Sequence, residues 1–314
     1  MGATAYPQNL SFGAPLVGGG LVSIPKANGN VFYVDGTNGN DTNFGTTPAI
    51  GSGAGVGALK TIQKAVDLCD DASASTIYVY PGTYVENVDV GTKSDISIIS
   101  AQVTGNAKRV AIAPTTGIAL TLGAGNRFYA KGIRFVGTSG AGALTQNEGA
   151  RFDDCDFTSD TTHGIRFKGT VDDSHTGSGT EFNGCLFREC GGAGIHIEIG
   201  TNGAVGLYPT NVKVHNSCQF YLNTDDDIND DAAGGALAGF SQWDISDNHF
   251  MTVDKTTYLD LNGTAGGTEC QVSNNKFSIT VNTNYATQFQ MPSASVGGFV
   301  GNYSSIGVID GHTF

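Results

Sequence analysis

Two short phrases of this 314-residue chain, "GIRFK" at 164–168 and "GIHIE" at 194–198, gather side chains able to move protons. Side chains alternate across a strand. With Ile165 and Phe167 pointing inward, Arg166 and Lys168 point outward, and with Ile195, Ile197 and Ile199 inward, His196 and Glu198 point outward. Laid side by side as neighbouring strands, the phrases set Arg166 near His196 and Lys168 near Glu198. A lyase needs a base beside a carboxylate and a cation to neutralise that carboxylate, roles open to Arg166, Lys168 and His196. A hydrolase needs two carboxyls, roughly 5 Å apart for retention or roughly 6.5–9.5 Å for inversion; Glu198 with an outward aspartate such as Asp156 is the best pair available. His163, Asp154 and Asp260 extend the group. The competing reading is a sheet face open to solvent or covered by another protomer, where opposite charges on adjacent strands contribute roughly 0.2–1 kcal/mol per pair.

A second cluster is the acidic run "NTDDDINDD" (223–231), which puts Asp225, Asp227, Asn229 and Asp231 at alternate positions, the pattern of a calcium loop. It departs from an EF-hand, because Asp230 stands at the turn glycine and Ala236 at the bidentate glutamate. A solvated loop between strands, or a carboxylate cluster at a subunit contact, accounts for the run better than a calcium site. The single tryptophan, Trp243, reads either as a sugar-stacking platform or as edge packing. The glycine-rich "GAGVGAL" and "GGAGI" lack the Lys-Ser/Thr ending of a phosphate loop and read as tight turns. No Gly-x-Ser-x-Gly elbow is present, and His175, His215, His249 and His312 have no nucleophile nearby in sequence. No other cofactor is expected.

Composition narrows the partners. Charged residues are 14% of the chain and 46 residues are glycine, while 16 basic against 29 acidic residues give a net charge of −13. That balance opposes binding to a nucleic-acid backbone or to anionic lipid. No stretch reaches the roughly 20 apolar residues that span a bilayer, and "MGATAYPQNL" lacks the basic and apolar regions of a secretory signal. The six cysteines form no CxxC pair and read as reduced thiols of a protein assembled in a cytoplasm.

The elements that position these residues come from a repeated phrase: "AKGIRF" ending at Phe135, then "FDDCDF", "FNGCLF", "HNSCQF", "ISDNHF" and "VSNNKF" ending at Phe157, Phe187, Phe220, Phe250 and Phe277. Intervals between about 20 and 35 residues match one coil of a solenoid with loops of varying length. An apolar residue five before the Phe (Phe152, Phe182, Ile245, Val272), followed by Asp, Asn or Ser, predicts strand, turn, strand. Ile165, Ile195 and Ile228 each fall eight residues past a repeat Phe and predict a further strand. Cys155, Cys185 and Cys218 then share one inward column that continues as Asn248 and Asn275, the latter suited to a side-chain hydrogen-bond ladder. Upstream, "LKTIQKAVDLC" (59–69) carries Leu59, Ile62, Ala65 and Val66 on one helical face, as a cap over a solenoid end would require.

The phrase apolar, Asn/Asp, any, Asn/Cys, any, Phe, followed by Gly-Ile, resembles the repeat of right-handed parallel β-helices of the pectate-lyase-like class. "FYVDGTNGNDTNFGT", the helix segment and "TIYVYPGTYVENVDV" resemble the first coil of that class. The implied architecture is all-β, a single-stranded right-handed parallel β-helix over 31–314 with a short N-terminal capping helix at about 59–69. Residues 1–30, with "YPQNLSFGAPLVGGGLVSIP", are similar to openings of bacteriophage virion proteins built on this fold. The resemblance implies a virion attachment arm, a homotrimer, and contact with other virion proteins of capsid or tail. It also implies a virion location after assembly in the host cytoplasm. The activities it implies are a structural surface protein, either head decoration or a fibre or spike touching host glycans, or else a tailspike-like depolymerase cutting host surface polysaccharide.

Overall fold

The computed structural model describes residues 30–48, 55–71, 73–102, 110–125, 127–146, 148–168, 177–198, 209–230, 242–253, 255–260, 270–280, 288–290, 298–304 and 307–308. The expected arm lies outside the described residues except for Asn30, which opens the first strand.

Three sheets wind around one apolar interior. Sheet I begins with Asn30–Val34, Ser75–Val79 and Ile96–Ser100 and continues through Arg151–Asp153, Glu181–Asn183, Lys213–His215 and Asp244–Ser246. Sheet II runs from Gly82–Tyr84 through Ile133–Gly137, Asp156–Ser159, Leu186–Arg188 and Gln219–Tyr221 to the C-terminal end. Sheet III holds Val88–Gly91, Leu120–Leu122, Ala143–Thr145, Ile165–Lys168, Ile195–Glu198, Ile228–Asp230, Leu259–Asp260 and Phe289–Gln290. Each strand pairs in parallel with its equivalents one coil before and after; the antiparallel exception is Tyr303–Ser304 with Gly307–Val308.

The repeat phenylalanines form one continuous stack. Ring centroids are 5.3 Å apart for Phe135–Phe157 and 5.1 Å for Phe157–Phe187, closing to 4.5 Å for Phe250–Phe277. Phe152 and Phe182 stack beside them at 5.4 Å. All of these rings are buried, and each adds apolar burial worth about 1.5–3 kcal/mol.

The turn between sheets I and II explains the repeat phrase. Asp154, Asp247 and Asn274 adopt left-handed backbone (φ 51°, 59° and 56°) at equivalent positions, a conformation Asp and Asn tolerate better than most residues. Gly184 takes the same place with φ 61°. The next residue turns inward, where Asn248, Asn275 and Asn302 build the expected ladder. The Asn248 N–H donates to Asn275 Oδ1 at 3.0 Å, the Asn275 N–H to Asn302 Oδ1 at 3.0 Å, and Asn248 Nδ2 to the Val214 carbonyl at 2.7 Å. In the cysteine coils Cys185 Sγ donates instead to the Phe152 carbonyl at 3.2 Å. All six cysteines are free and buried.

The Gly preceding Ala143, Ile165 and Ile195 marks a close approach between coils: a Cβ on Gly164 would lie 2.6 Å from the Gly194 carbonyl oxygen, and one on Gly142 equally close to the Gly164 oxygen. The cap is shorter than 59–69, because the helix spans Ile62–Leu68 while Leu59 bridges Val34 in extended form. Thr61 caps it, and the Glu86 carboxylate accepts both the Ile62 and Gln63 N–H groups at 2.9 Å.

Candidate functional site

Sheet III brings the predicted proton-transfer residues onto one outer face. Arg166, His196, Asn229 and Asp260 are register partners on four successive coils, and Lys168 pairs with Glu198 one step along; the Lys168 side chain lies outside the described residues. Arg166 reaches diagonally, its Nε 3.3 Å from Glu198 Oε2.

His196 is only 4% exposed because His163, from the turn before the preceding strand, lies flat on it with centroids 3.8 Å apart and planes 7° from parallel. Asn229 Oδ1, which can only accept, stands 2.6 Å from His196 Nδ1. With the amide oxygen facing the ring, Nδ1 donates the proton of this hydrogen bond. His163 Nδ1 accepts the Ala193 N–H at 3.0 Å. Burial, then His196 and Arg166, push the His163 pKa down to about 4, so this ring is neutral near pH 7.

The sequence reading passed over Asp226, which joins this group. It hydrogen-bonds Asn229, so the amide links it to His196. Burial, and after it the charge of Asp260, push its carboxyl up to about 6 against the opposing influence of Lys255. Sheet III therefore holds a carboxyl able to donate a proton near neutrality, a second carboxylate beside it, and an oriented imidazole. One signal for it was present: the eight-residue interval from Phe220 to Ile228 fixes Asn229 beside His196, and Asp226 lies in the turn just before.

Asp156 does not belong to this face. It lies on sheet II, where Arg188 clamps it through two hydrogen bonds, Nε–Oδ1 at 3.2 Å and Nη2–Oδ2 at 2.9 Å, and Arg134 Nε lies 3.6 Å away. Pairing Asp156 with Glu198 fails because they occupy different sheets. Asp154 sits at the sheet I–II corner, equally remote. Sheet I carries another closed network: Tyr129 OH donates to Asp153 Oδ2 at 2.9 Å, Arg151 bonds Asp153 Oδ1 at 2.9 Å and reaches Glu181 at 3.3 Å, and His215 Nε2 lies 2.7 Å from Glu181 Oε1.

The positions proposed for calcium diverge. Asp225 is exposed, Asp227 is fully buried against Lys255 Nζ at 2.9 Å, Asn229 serves His196, and Asp231 lies outside the described residues. Among the described residues no group of three His, Cys, Asp or Glu side chains converges as a metal site. Trp243 is no sugar platform: it is buried against Phe167 and its Nε1 donates to the Pro209 carbonyl at 2.8 Å. Among the described residues no helix is long and apolar enough to cross a membrane.

No protein-family model and no curated protein matches the sequence. Among solved structures, an alginate lyase from Paenibacillus sp. str. FPU-7 superposes with TM-score 0.51 at 12% identity, over 80% of this chain and 95% of that one. The Aspergillus niger pectin methylesterase gives 0.43 at 13% identity, over 90% and 87% of the two chains. ORF18 of Geobacillus virus E2 gives 0.42 at 14% identity, over 78% of this chain and 57% of that one. At such identity the likeness concerns the path of the backbone, and with three parallel sheets wound around stacked phenylalanines this chain folds as a right-handed parallel β-helix.

Proposed function

We propose that this chain is a structural protein of a bacteriophage particle, a stiff β-helix projecting from the surface as a head decoration or a fibre or spike. It assembles as a homotrimer in the host cytoplasm, with residues 1–30 docking to other capsid or tail proteins. The observation that carries this reading is the state of sheets I and II, whose outward charges are closed into ion-paired and hydrogen-bonded rows over a continuously laddered core. Such faces give a rigid rod rather than two catalytic grooves. The N-terminal resemblance supplies the virion context, and low surface charge suits closed symmetric assembly. Immunogold labelling of phage particles with an antibody against the helix, together with the solution mass of the purified chain, tests it: decorated particles and a trimeric mass are expected. A soluble monomer that leaves particles unlabelled would refute it.

One observation favours a second reading, action on host surface polysaccharide. It is the outer face of sheet III, where Asp226, Asp260, Asn229, His196 and the Arg166–Glu198 pair share one surface. Incubation with capsular polysaccharide or lipopolysaccharide and assay for new reducing ends or unsaturated uronates distinguishes the readings. Release of either product, lost in Asp226→Asn, would make the protein a depolymerase.

A further inference from the structure

The corner between sheets II and III holds an ion pair unlike any other among the described residues. Lys255 Nζ lies 2.9 Å from Asp227 Oδ1, and the two side chains are 8% and 0% exposed; every other ion pair has at least one member a fifth or more exposed. Most of those others use arginine, whose guanidinium does not acylate under mild conditions, whereas Lys255 presents a primary amine. The two residues sit on successive coils, held in place by backbone bonds from the Asp227 and Ile228 N–H groups to the Tyr258 carbonyl at 3.0 and 3.1 Å. Tyr258 OH in turn bonds the Thr252 and Ser278 carbonyls. The Lys255 N–H donates to the same hydroxyl at 3.4 Å.

The carboxyl is also polarised asymmetrically. Oδ1 receives both Lys255 Nζ and Asn223 Nδ2, each at 2.9 Å, while Oδ2 is buried with no hydrogen-bond partner. A buried carboxylate with one unserved oxygen is costly as an anion. Moving one proton from the ammonium to Oδ2 removes both buried charges and leaves an amine against a carboxylic acid whose carbonyl oxygen already has an N–H donor in Asn223. That is an amide-forming arrangement held in a water-poor place, where proximity replaces much of the entropic barrier.

We propose that Lys255 and Asp227 condense to an intramolecular isopeptide bond that ties two successive coils covalently. The Lys255 Nζ lone pair attacks Asp227 Cγ and the new C–N bond forms. The Cγ–Oδ2 bond breaks, and that oxygen leaves as water carrying its own proton and one from nitrogen. No oxidant or further reactant enters. Asp226, the residue before Asp227 and within the electrostatic reach of Lys255, is an acid able to relay the proton, its carboxyl being half protonated at about pH 6. The resulting amide retains an N–H and a carbonyl, so Asn223 still has its acceptor.

Peptide mapping of the full chain under denaturing conditions reads the bond directly. Trypsin is expected to leave Lys255 uncut, giving a peptide from Val214 to Lys276 one water lighter than its sequence. A Lys255→Arg chain gives normal cleavage at 255 and full mass, which excludes cyclisation of an aspartate as the source of the water loss. Asp227→Asn is expected to close with loss of ammonia instead of water. Complete cleavage at Lys255 with full peptide mass in the wild-type chain, stored folded at pH 6 to 7, would overturn the proposal and leave a salt bridge. This wild-type measurement decides the matter even if a variant fails to fold.

Discussion

On sheet II, Asp156 lies between Arg134 and Arg188, opposite charges on successive coils. On sheet III the Arg166–Glu198 pair shares the face with like neighbours: His163 lies on His196, and Asp226 sits beside Asp260. The Asp156 hydrogen bonds favour the charged form of Arg188, whereas on sheet III burial first, and neighbouring groups of like sign after it, lower the His163 pKa and raise that of Asp226. Sheet III keeps two titratable groups, His163 and Asp226, displaced from their ordinary values by burial.

The contrast is breakable. Its largest expected effect is at Asp156: Asp156→Ala leaves two arginines facing each other and should lower unfolding free energy by about 2–3 kcal/mol in urea titrations, less than a fully buried pair would because both arginines are partly exposed. Glu198→Ala on sheet III should cost about 0.5 kcal/mol, since both members of its pair with Arg166 are partly exposed. Equal costs at the two sites would erase the distinction.

The pH dependence sharpens it. His163 titrates near 4 in the folded chain against 6.5 for the ordinary group, so between those values the unfolded chain binds more protons and stability climbs with pH. Asp226 titrates near 6 against 3.8, so the folded chain binds more protons there and its contribution falls as pH rises. The slopes oppose and leave the wild type nearly level from pH 4 to 6 as far as this face is concerned. His163→Gln should uncover a stability that falls with pH across that window, and Asp226→Asn one that rises; melting temperatures measured every half unit read both. The smallest effect is at neutral pH, where Asp226→Asn removes a buried charge facing Asp260 and should raise the melting temperature by about 1–3 °C. A lower melting temperature there would mean that Asp226 is stabilised by partners that outweigh the repulsion.

The solenoid was legible because its periodicity is carried by large buried rings: Phe135 through Phe277 define coil length whatever the loops do. The inward Asn column was legible at Asn248 and Asn275 and missed at Asn302, where Ser304 replaces the marker Phe although the ladder continues. The site was legible where strand alternation applies, at Arg166, His196 and Glu198. It failed at Asp226 and Asp227, because the strand begins only at Ile228 and alternation carries no information about the turn before it. Asp156 was grouped with Glu198 because proximity to a repeat Phe does not tell which of three sheets a residue joins.

The left-handed corner keeps Phe152 and Phe157, Phe182 and Phe187, or Ile245 and Phe250 five residues apart, whereas the path from sheet III back to sheet I grows from nine residues between Ala143 and Phe152 to nineteen between Ile195 and Val214. Between Phe152 and Leu259 most of the variation in coil length therefore falls in a single seam, the path from sheet III back to sheet I. New sequence can be spliced into that seam, coil by coil, without shifting any interior ring off its neighbour, so surface specificity and structural register are free to evolve independently.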